Sequence, residues 1–278
     1  MKSPKMLYIL ISLFCVFAVI AGIYAQFIEG GNNNDISNTD ENNSIVEKDA
    51  ELIKAEFNDL FTSTINLNGY DTARINKLDA SKEIIYTAFD ISKSEEMFEL
   101  NIKVPVVNIK NDVAGSFNTT TQVVFVNKAS EILGNKQATQ KTIYSIDYVA
   151  YVNGDILSVV IRSTLKQGDS AQRVIVQTYN YNLATNQKVS LTDMITYKML
   201  NKEDVNRKIK QVITEADEAS KAIQNMGYND IYVRDLNDTK YTVDGSSTYF
   251  LGPDNHLYIV YPYGNNDFTS EMDIVVFE

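Results

Sequence analysis

Three consecutive strand-like runs between Tyr144 and Leu183, joined by short turns, constrain the fold of this chain more than any other stretch. Within the first two runs, hydrophobic residues recur at every second position, which predicts strands with one buried face. Asn153-Gly154 separates these runs, and an Asn-Gly pair favours the positive φ angles of a type I′ hairpin turn. The pattern therefore predicts an antiparallel meander at the centre of a folded domain.

The third run leads into a turn at residues 184–187 and then into a helix. Ser190 stands three residues before Asp193, which is the spacing of a capping box with aspartate in the usual place of glutamate. Further along, Asn201 is a suitable N-cap for a long helix whose hydrophobic residues recur at helical spacing to Met226. A further helix is predicted at residues 46–61, with Ser44 and Glu47 forming its capping box.

Other stretches complete a mixed pattern of strands and helices. Strands are predicted at residues 83–91, 97–109, 241–251, 256–261 and 272–277, with turns at residues 92–95 and 252–255. Pro105 has no amide hydrogen, so its strand is expected to lie at an edge or to bulge there. Residues 117–133 fit either a strand, because of their β-branched residues, or a helix that ends at Gly134. Strands and helices without regular alternation predict an α+β fold with mostly antiparallel sheets and a few packed helices.

The N-terminus carries an apolar run that predicts a membrane anchor. Residues 6–25 contain no charged residue and follow Lys2 and Lys5. A helix of this length spans about 30 Å, the thickness of the hydrocarbon core, and the basic flank should stay inside the cell. We therefore expect a cytoplasmic tip at 1–5, a transmembrane helix at 6–25 in contact with the lipid bilayer, a flexible linker at 26–44 and an extracytoplasmic domain at 45–278. The alternative is a cleaved signal peptide, which would release a secreted protein.

Charge and cysteine content narrow the expected partners. Without residues 1–25 the chain keeps 23 basic against 36 acidic residues, a net charge of −13. That charge argues against a nucleic-acid partner, whose phosphates need a basic surface, and would attract a cationic partner. Cys15 is the single cysteine and lies inside the apolar run, so the exported part has no thiol for a disulfide or for zinc.

No catalytic or metal-binding motif is recognisable. His256 is the only histidine and stands beside a predicted turn, where a surface role is more common than a catalytic one. The stretch from Asp235 begins like an EF-hand loop but has Lys240 at the sixth position and Ser246 at the twelfth, instead of glycine and glutamate. We expect no cofactor, no metal and no enzymatic activity; the alternative is a hydrolase that uses two converging carboxylates.

Tyrosine content points to candidate ligand-binding residues. The chain has 17 tyrosines and no tryptophan, and the amphipathic tyrosine ring suits both sugar and protein surfaces. The late hairpin concentrates tyrosines next to a polar stretch, which predicts part of a binding lip formed by Tyr258, Tyr261, Tyr263, Asn265, Asn266 and Asp267. Alternation of strand faces leaves open that half of these tyrosines belong to the core.

Three stretches resemble one family of extracytoplasmic domains of unknown function. YNYNLATNQKVSLTDMI (residues 179–195) is similar to that family's strand, turn, Leu-x-Asp and helix segment. ELNIKVPVVNI (99–109) and TYFLGPDNHLYIVYPYG (248–264) resemble its early proline-containing strand and its late hairpin. The family includes the outer domain of the lysozyme-sensing anti-sigma factor of Gram-positive bacteria and the accessory domain of some peptidoglycan deacetylases. The resemblance also favours the helix for residues 117–133.

The resemblance implies a binding or sensing module of the cell envelope, with a wall glycan or a cationic protein such as lysozyme as ligand. The family often has a Gly-Gly-Ala-His turn where this chain has Gln167-Gly168-Asp169-Ser170-Ala171-Gln172, without histidine. Only five residues precede the apolar run, too few for a folded sigma-binding module, so no sigma-factor partner is expected. A purely structural envelope protein is the remaining alternative.

Overall fold

The computed structural model describes residues 50–135, 137–228, 231–264 and 270–278, which belong to one compact unit. The elements in chain order are α1 (Ala50–Asp59), β1 (Thr64–Asn66), β2 (Ile85–Glu95), β3 (Phe98–Val107), α2 (Asp112–Thr121), a π-helical turn (Gln122–Val126), α3 (Asn127–Gly134), β4 (Thr142–Asn153), β5 (Ile156–Gln167), β6 (Arg173–Asn182), β7 (Gln187–Lys188), α4 (Leu191–Tyr197), α5 (Lys202–Asn225), β8 (Tyr249–Leu251), β9 (Leu257–Tyr263) and β10 (Glu271–Phe277).

The predicted meander forms the centre of a seven-stranded sheet. Its order is β2-β3-β4-β5-β6-β7, and β1 pairs with β4. Neighbouring strands are antiparallel except that β3 and β1 both run parallel to β4, along different parts of it. The parallel step from β3 to β4 is made by α2, the π-helical turn and α3, as expected because a parallel connection needs a long crossover. The fold is thus α+β with mostly antiparallel sheets, as predicted.

Two sheets and two groups of helices are stacked in four layers. Helices α2 and α3 cover one face of the large sheet, with Phe117 and Phe125 against Tyr148 and Ile161. The other face packs on the three-stranded sheet β10-β9-β8, and α1 inserts Phe57 there. Helices α4 and α5 cover the outer face of the small sheet. Both sheets are therefore buried on both faces over their centres, and residues 148–153 and 156–161 are all buried, rather than on one face as the alternation predicted.

Several local predictions are confirmed by the backbone. Ser190 and Asp193 form a reciprocal capping box at α4, and the side chain of Asn201 caps α5. The ladder between β2 and β3 shifts register between Thr87 and Phe89, opposite Pro105. Residues 117–133 are helical, although the helix contains a π-helical turn. The capping box at Ser44 and Glu47, the linker and the predicted anchor at residues 6–25 lie outside the described residues.

Two predicted turns have different geometry. Asn153 pairs with Ile156, so Gly154 and Asp155 are the central residues of the hairpin turn, and of these two only Gly154 has a positive φ, 56°. Glycine with positive φ at the first central position is the pattern of a type II′ turn, so the type I′ prediction is wrong. The predicted turn at residues 92–95 is also wrong, because those residues continue β2 and pair with residues 98–101 of β3.

The strand predicted at residues 241–251 is much shorter. Only Tyr249–Leu251 pairs in the small sheet, and Thr239–Tyr241 forms a 3₁₀ helix capped by Asp238. The chain then doubles back so closely that a Cβ atom on Gly245 would lie 1.9 Å from the carbonyl oxygen of Thr239. This packing explains why the β-branched residues in the stretch do not extend into a strand.

Candidate functional site

A cleft of about 590 Å³ lies where three separate parts of the chain meet. One wall is the π-helical turn with the start of α3, the floor comes from β4, β5 and β6, and the other wall is the end of the β9–β10 hairpin. We call this space the cleft; it is lined by Val123, Val124, Asn127, Lys128, Glu131, Tyr144, Ser163, Leu165, Arg173, Val174, Ile175, Pro262, Tyr263, Gly264 and Ser270.

The helical wall presents hydrophobic side chains to solvent. Val123 is 59% exposed and Val124 36% exposed, whereas Phe125 beside them is fully buried. Both exposed valines lie in the π-helical turn, which adds a residue to the local turn and is frequent at functional sites. Helix α2 is fixed to the sheet by Asn118, whose side chain bonds both the N–H and the C=O of Val107 at 2.9 Å. The exposed valines are therefore carried on an anchored helix.

The floor of the cleft combines a buried hydroxyl group with an exposed apolar side chain. Tyr144 is 3% exposed, and burial raises its pKa to about 12 against the opposing hydrogen bond with Ser163. Its hydroxyl group therefore stays protonated at neutral pH. Ile175 on β6 is 48% exposed, although the rest of that sheet face lies under helices. The floor offers apolar surface that the protein itself leaves uncovered.

Charged groups at the cleft are unequally paired. Lys128 Nζ lies 3.2 Å from a carboxylate oxygen of Glu131, one turn further along the helix. Glu131 is the single carboxylate among the described residues that line the cleft. Arg173 is partly exposed, and its guanidinium group has no hydrogen bond or ion pair with any residue that the structure describes. Among the described residues, Arg173 is thus the cleft cation without an ion-pair partner.

Tyr263 belongs to the hairpin wall, and its ring packs against Tyr232 and Arg234. Its ring stacks on the ring of Tyr232, with centroids 4.4 Å apart and planes 7° from parallel. The guanidinium carbon of Arg234 lies 4.9 Å from the centre of the same ring. Burial raises the pKa of the Tyr263 hydroxyl group above its usual value. A ring fixed in this way loses little conformational entropy when it contacts a ligand.

The side chain of Arg234 connects its own segment to β10 and to α5. Its Nε and Nη2 atoms donate to the two carboxylate oxygens of Asp273 on β10, at 2.8 and 2.7 Å. Its Nη1 atom donates to the carbonyl oxygen of Ala216 and to the hydroxyl group of Ser220 on α5. The side chains of Arg234 and Asp273 are only 4% and 3% exposed. Bidentate geometry and full pairing make this a strong buried ion pair.

Asp217 on α5 completes the same cluster. Its Oδ1 atom accepts the backbone N–H of Arg234 at 2.9 Å, and its Oδ2 atom lies 2.6 Å from Lys221 Nζ. Burial alone would raise the pKa of Asp217, but the hydrogen bonds from Lys221 and from the Arg234 backbone lower it below its usual range. We call Arg234, Asp273, Asp217, Ser220 and Lys221 the Arg234 centre.

The predicted binding lip is divided by the structure. Tyr258 and Tyr261 are 5% and 6% exposed and belong to the two faces of the small sheet. Tyr258 stacks on Phe250, while the hydroxyl group of Tyr261 lies 2.7 Å from Ser246 Oγ. Tyr263 alone of the three lines the cleft. Asn265, Asn266 and Asp267 lie outside the described residues, so their part in the lip stays a prediction.

Cleft residues other than Tyr263 were missed by sequence reasoning. Val123, Val124 and Ile175 fit ordinary core positions in their local patterns, and nothing local distinguishes Arg173 from other basic residues. His256, the lone histidine, follows the turn at residues 253–255. Its backbone N–H donates to the carbonyl oxygen of Pro253. Within the described part of the chain, no cluster of three or more histidine, cysteine or acidic residues could hold a metal ion.

Among the described residues that line the cleft, Glu131 has the one carboxylate, and that group is paired with Lys128. Burial raises the pKa of Asp147, against the opposing charges of Arg162 and Lys103, but Asp147 does not line the cleft. A glycosidase of the usual kind needs two carboxylates on either side of one bond.

Two solved structures have weak similarity to this chain. A member of the DUF3298 family from Bacteroides fragilis has a TM-score of 0.35 and 14% identity, over 64% of this chain and 80% of that one. A DUF3298 family protein from Pseudomonas aeruginosa has a TM-score of 0.33 and 10% identity, over 68% of this chain and 85% of that one. DUF3298 is a domain family of unknown function. No family model and no curated protein matches the chain. The relation to the lysozyme-sensing domain and to the deacetylase accessory domain stays a prediction.

None of the described helices, in the ranges given above, has both the length and the apolar composition that a membrane crossing requires.

Proposed function

We propose that this protein is a non-catalytic binding module of the bacterial cell envelope and that it holds a wall glycan in the cleft. In this proposal residues 6–25 anchor it in the membrane and the α+β domain lies outside. The proposal rests on one observation. The ring of Tyr263 is held in place by stacking on Tyr232, and it lines the same cleft as the exposed side chains of Val123 and Ile175. The resemblance to envelope-sensing domains agrees with it.

The composition of the cleft suits a sugar chain. Sugar rings have apolar C–H faces that pack on aromatic and aliphatic side chains, while their hydroxyl and amide groups need hydrogen-bond partners at the rim. Tyr263, Ile175 and Val123 supply the first kind of surface. The polar groups are supplied by Asn127, Ser163 and Ser270, which also line the cleft. Binding sites for small ligands typically combine these two components in an open or partly closed hollow.

Calorimetric titration of the full-length chain with N-acetylglucosamine oligomers and with soluble wall-glycan fragments tests this proposal. The detergent must lack a sugar headgroup, because such a headgroup would compete for the cleft. We expect Tyr263→Leu to weaken binding by about tenfold, as loss of a stacking contact of roughly 1.4 kcal/mol predicts. Tyr228→Leu is the matched control, because Tyr228 is 62% exposed and lies outside the cleft. Equal effects of both substitutions would reject the cleft as the binding site.

A cationic envelope-active protein such as lysozyme is the second candidate ligand. The net charge of −13 outside residues 1–25 favours it, since an acidic surface accelerates encounter with a basic partner. Retention of lysozyme on the immobilised protein should then fall steeply between low and moderate salt. Binding of neutral N-acetylglucosamine oligomers by stacking should be nearly independent of salt, so these oligomers and lysozyme give different results in the same titration series.

The two rival functions have different outcomes in the same assays. Release of new reducing sugar ends during incubation with intact sacculi would identify a hydrolase. Absence of retention of sacculi, glycan fragments and lysozyme would leave a structural envelope protein. Protease added to cells stripped of their wall should degrade residues 26–278; protection of that region would reject the proposed topology, and a mature N-terminus at Gln26 would show a cleaved signal peptide.

A further inference from the structure

Arg173 differs from the other cation of the cleft in its pairing. Lys128 has Glu131 as a partner one helical turn away, so these two groups together add no net charge. Arg173 begins β6, and its guanidinium group has no ion pair or hydrogen bond within the described part of the chain. No described residue accepts a hydrogen bond from any of its five N–H donors.

The surroundings of Arg173 favour an anion over a neutral group as its partner. Ile175, Leu165 and Val124 line the same space and reduce its contact with water once a ligand fills the cleft. A guanidinium group in such a setting gains most from a carboxylate, which it binds through two parallel hydrogen bonds. Phosphate would be recognised by the same geometry; the wall glycan of the proposed function offers a carboxylate on its lactyl-bearing sugar.

We propose that Arg173 makes the cleft selective for glycans that carry a carboxylate, with Tyr263 and the open apolar surface holding the adjoining sugar ring. This inference rests on the proposed function, since it assigns the chemical class of the ligand to the same cleft. In the complex, the carboxylate accepts hydrogen bonds from the Arg173 guanidinium group and the hydroxyl groups of the sugar meet the polar rim.

The experiment compares three soluble tetrasaccharides on the full-length protein. The first alternates N-acetylglucosamine with N-acetylmuramic acid and bears free lactyl carboxylates; the second is the same compound with the carboxylates converted to primary amides; the third contains N-acetylglucosamine alone. We expect the carboxylate form to bind about tenfold more tightly than the amide form, as one charge-assisted hydrogen-bonded pair predicts. The preference should decrease as salt is added.

Substitution then assigns the preference to one side chain. Arg173→Gln should remove the preference while leaving the affinity for the amide form within about twofold, and Arg173→Lys should keep part of it because lysine is a point charge without the planar fork. Arg74→Gln is the matched control, because Arg74 is exposed and lies outside the cleft. Circular dichroism melting of each variant checks that the fold is retained.

The outcomes separate this inference from the proposed function. Equal affinity for the carboxylate and amide forms, with measurable binding of both, overturns the inference and leaves glycan binding in place. A preference that survives in Arg173→Gln also overturns it. Failure of all three compounds to bind overturns both proposals. A preference lost in Arg173→Gln and kept in Arg74→Gln establishes Arg173 as the carboxylate-recognising residue.

Discussion

The cleft and the Arg234 centre both border Tyr263 and differ in how their charges are paired. In the Arg234 centre every charged group has a partner, and the side chains of Arg234 and Asp273 are almost fully buried. In the cleft, Arg173 has no described partner and apolar side chains such as Ile175 remain exposed. Charges that are already paired hold a structure in place, whereas an unpaired group beside exposed apolar surface is available for binding.

Tyr263 belongs to both regions and connects their roles. Its ring is stacked on Tyr232 and lies against Arg234, so the paired centre fixes the position of this ring, which lines the cleft together with that of Tyr144. Substitutions in the Arg234 centre should consequently cost mainly stability, and substitutions in the cleft should cost mainly ligand affinity. The following predictions test that division, beginning with the largest expected effect.

Removal of Arg234 should have the largest effect. Arg234→Ala leaves Asp273 as a buried carboxylate without its partner, which typically destabilises a protein by about 3–5 kcal/mol. Urea denaturation followed by circular dichroism measures the loss. The double variant Arg234→Met with Asp273→Leu removes both charges and should be clearly more stable than Arg234→Ala. A loss below about 1 kcal/mol in Arg234→Ala would show that the pair is dispensable for folding.

Tyr232 should show an intermediate effect on both properties. Tyr232→Leu removes the ring on which Tyr263 stacks and should destabilise the protein by about 1 kcal/mol, the usual value of an aromatic pair. It should also weaken glycan binding by several-fold, because Tyr263 loses its fixed orientation. Tyr232→Phe keeps the ring and should bind the glycan like the natural protein. Unchanged affinity in Tyr232→Leu would mean that the cleft does not depend on support from the centre.

The two aspartates of the Arg234 centre interrupt apolar series in the sequence. Val205, Ile209 and Ile213 are buried at four-residue spacing on α5, and the next position of that series is Asp217. Asp273 occupies a similar place on β10, on the same face as the buried Val275. An acidic residue on an apolar face needs a cation, so each series predicts one. Neither series shows which cation it is: Lys221 pairs with Asp217, and Arg234, from an irregular stretch, pairs with Asp273.

The strand meander could be predicted because its information is local. Alternation and turn residues defined β4, β5 and β6 nearly to their ends, and the capping box at Ser190 defined the start of α4. The cleft could not be predicted, since its walls come from residues 123–131, 163–175 and 262–270, which only the tertiary fold brings together. Val123 and Val124 lie in the π-helical turn, which no local pattern in the sequence indicated.

Acid should weaken the Arg234 centre in a defined pH range. The folded pKa of Asp217 is below its unfolded value of about 3.9, so the unfolded chain binds more protons between the two values. The stability due to Asp217 is therefore complete above about pH 4 and is lost as pH falls through the folded pKa. Urea midpoints measured from pH 7 to pH 2.5 should fall less steeply on the acid side in Asp217→Asn. Asp169→Asn, at an exposed loop position, is the control, and an acid slope equal in both variants would contradict the assignment.

Exchange of Ile175 should have the smallest effect on stability. Ile175 is 48% exposed on the cleft floor, so Ile175→Thr keeps the β-branched shape and removes little buried surface; we expect a change within about 0.5 kcal/mol. Ile161→Thr, at a fully buried position on β5, is the matched control and should cost several times more. Affinity for the glycan should change in the opposite order, because only Ile175 contacts the cleft. Strong destabilisation by Ile175→Thr would show that its exposed surface serves folding, and the division between the cleft and the Arg234 centre would then fail.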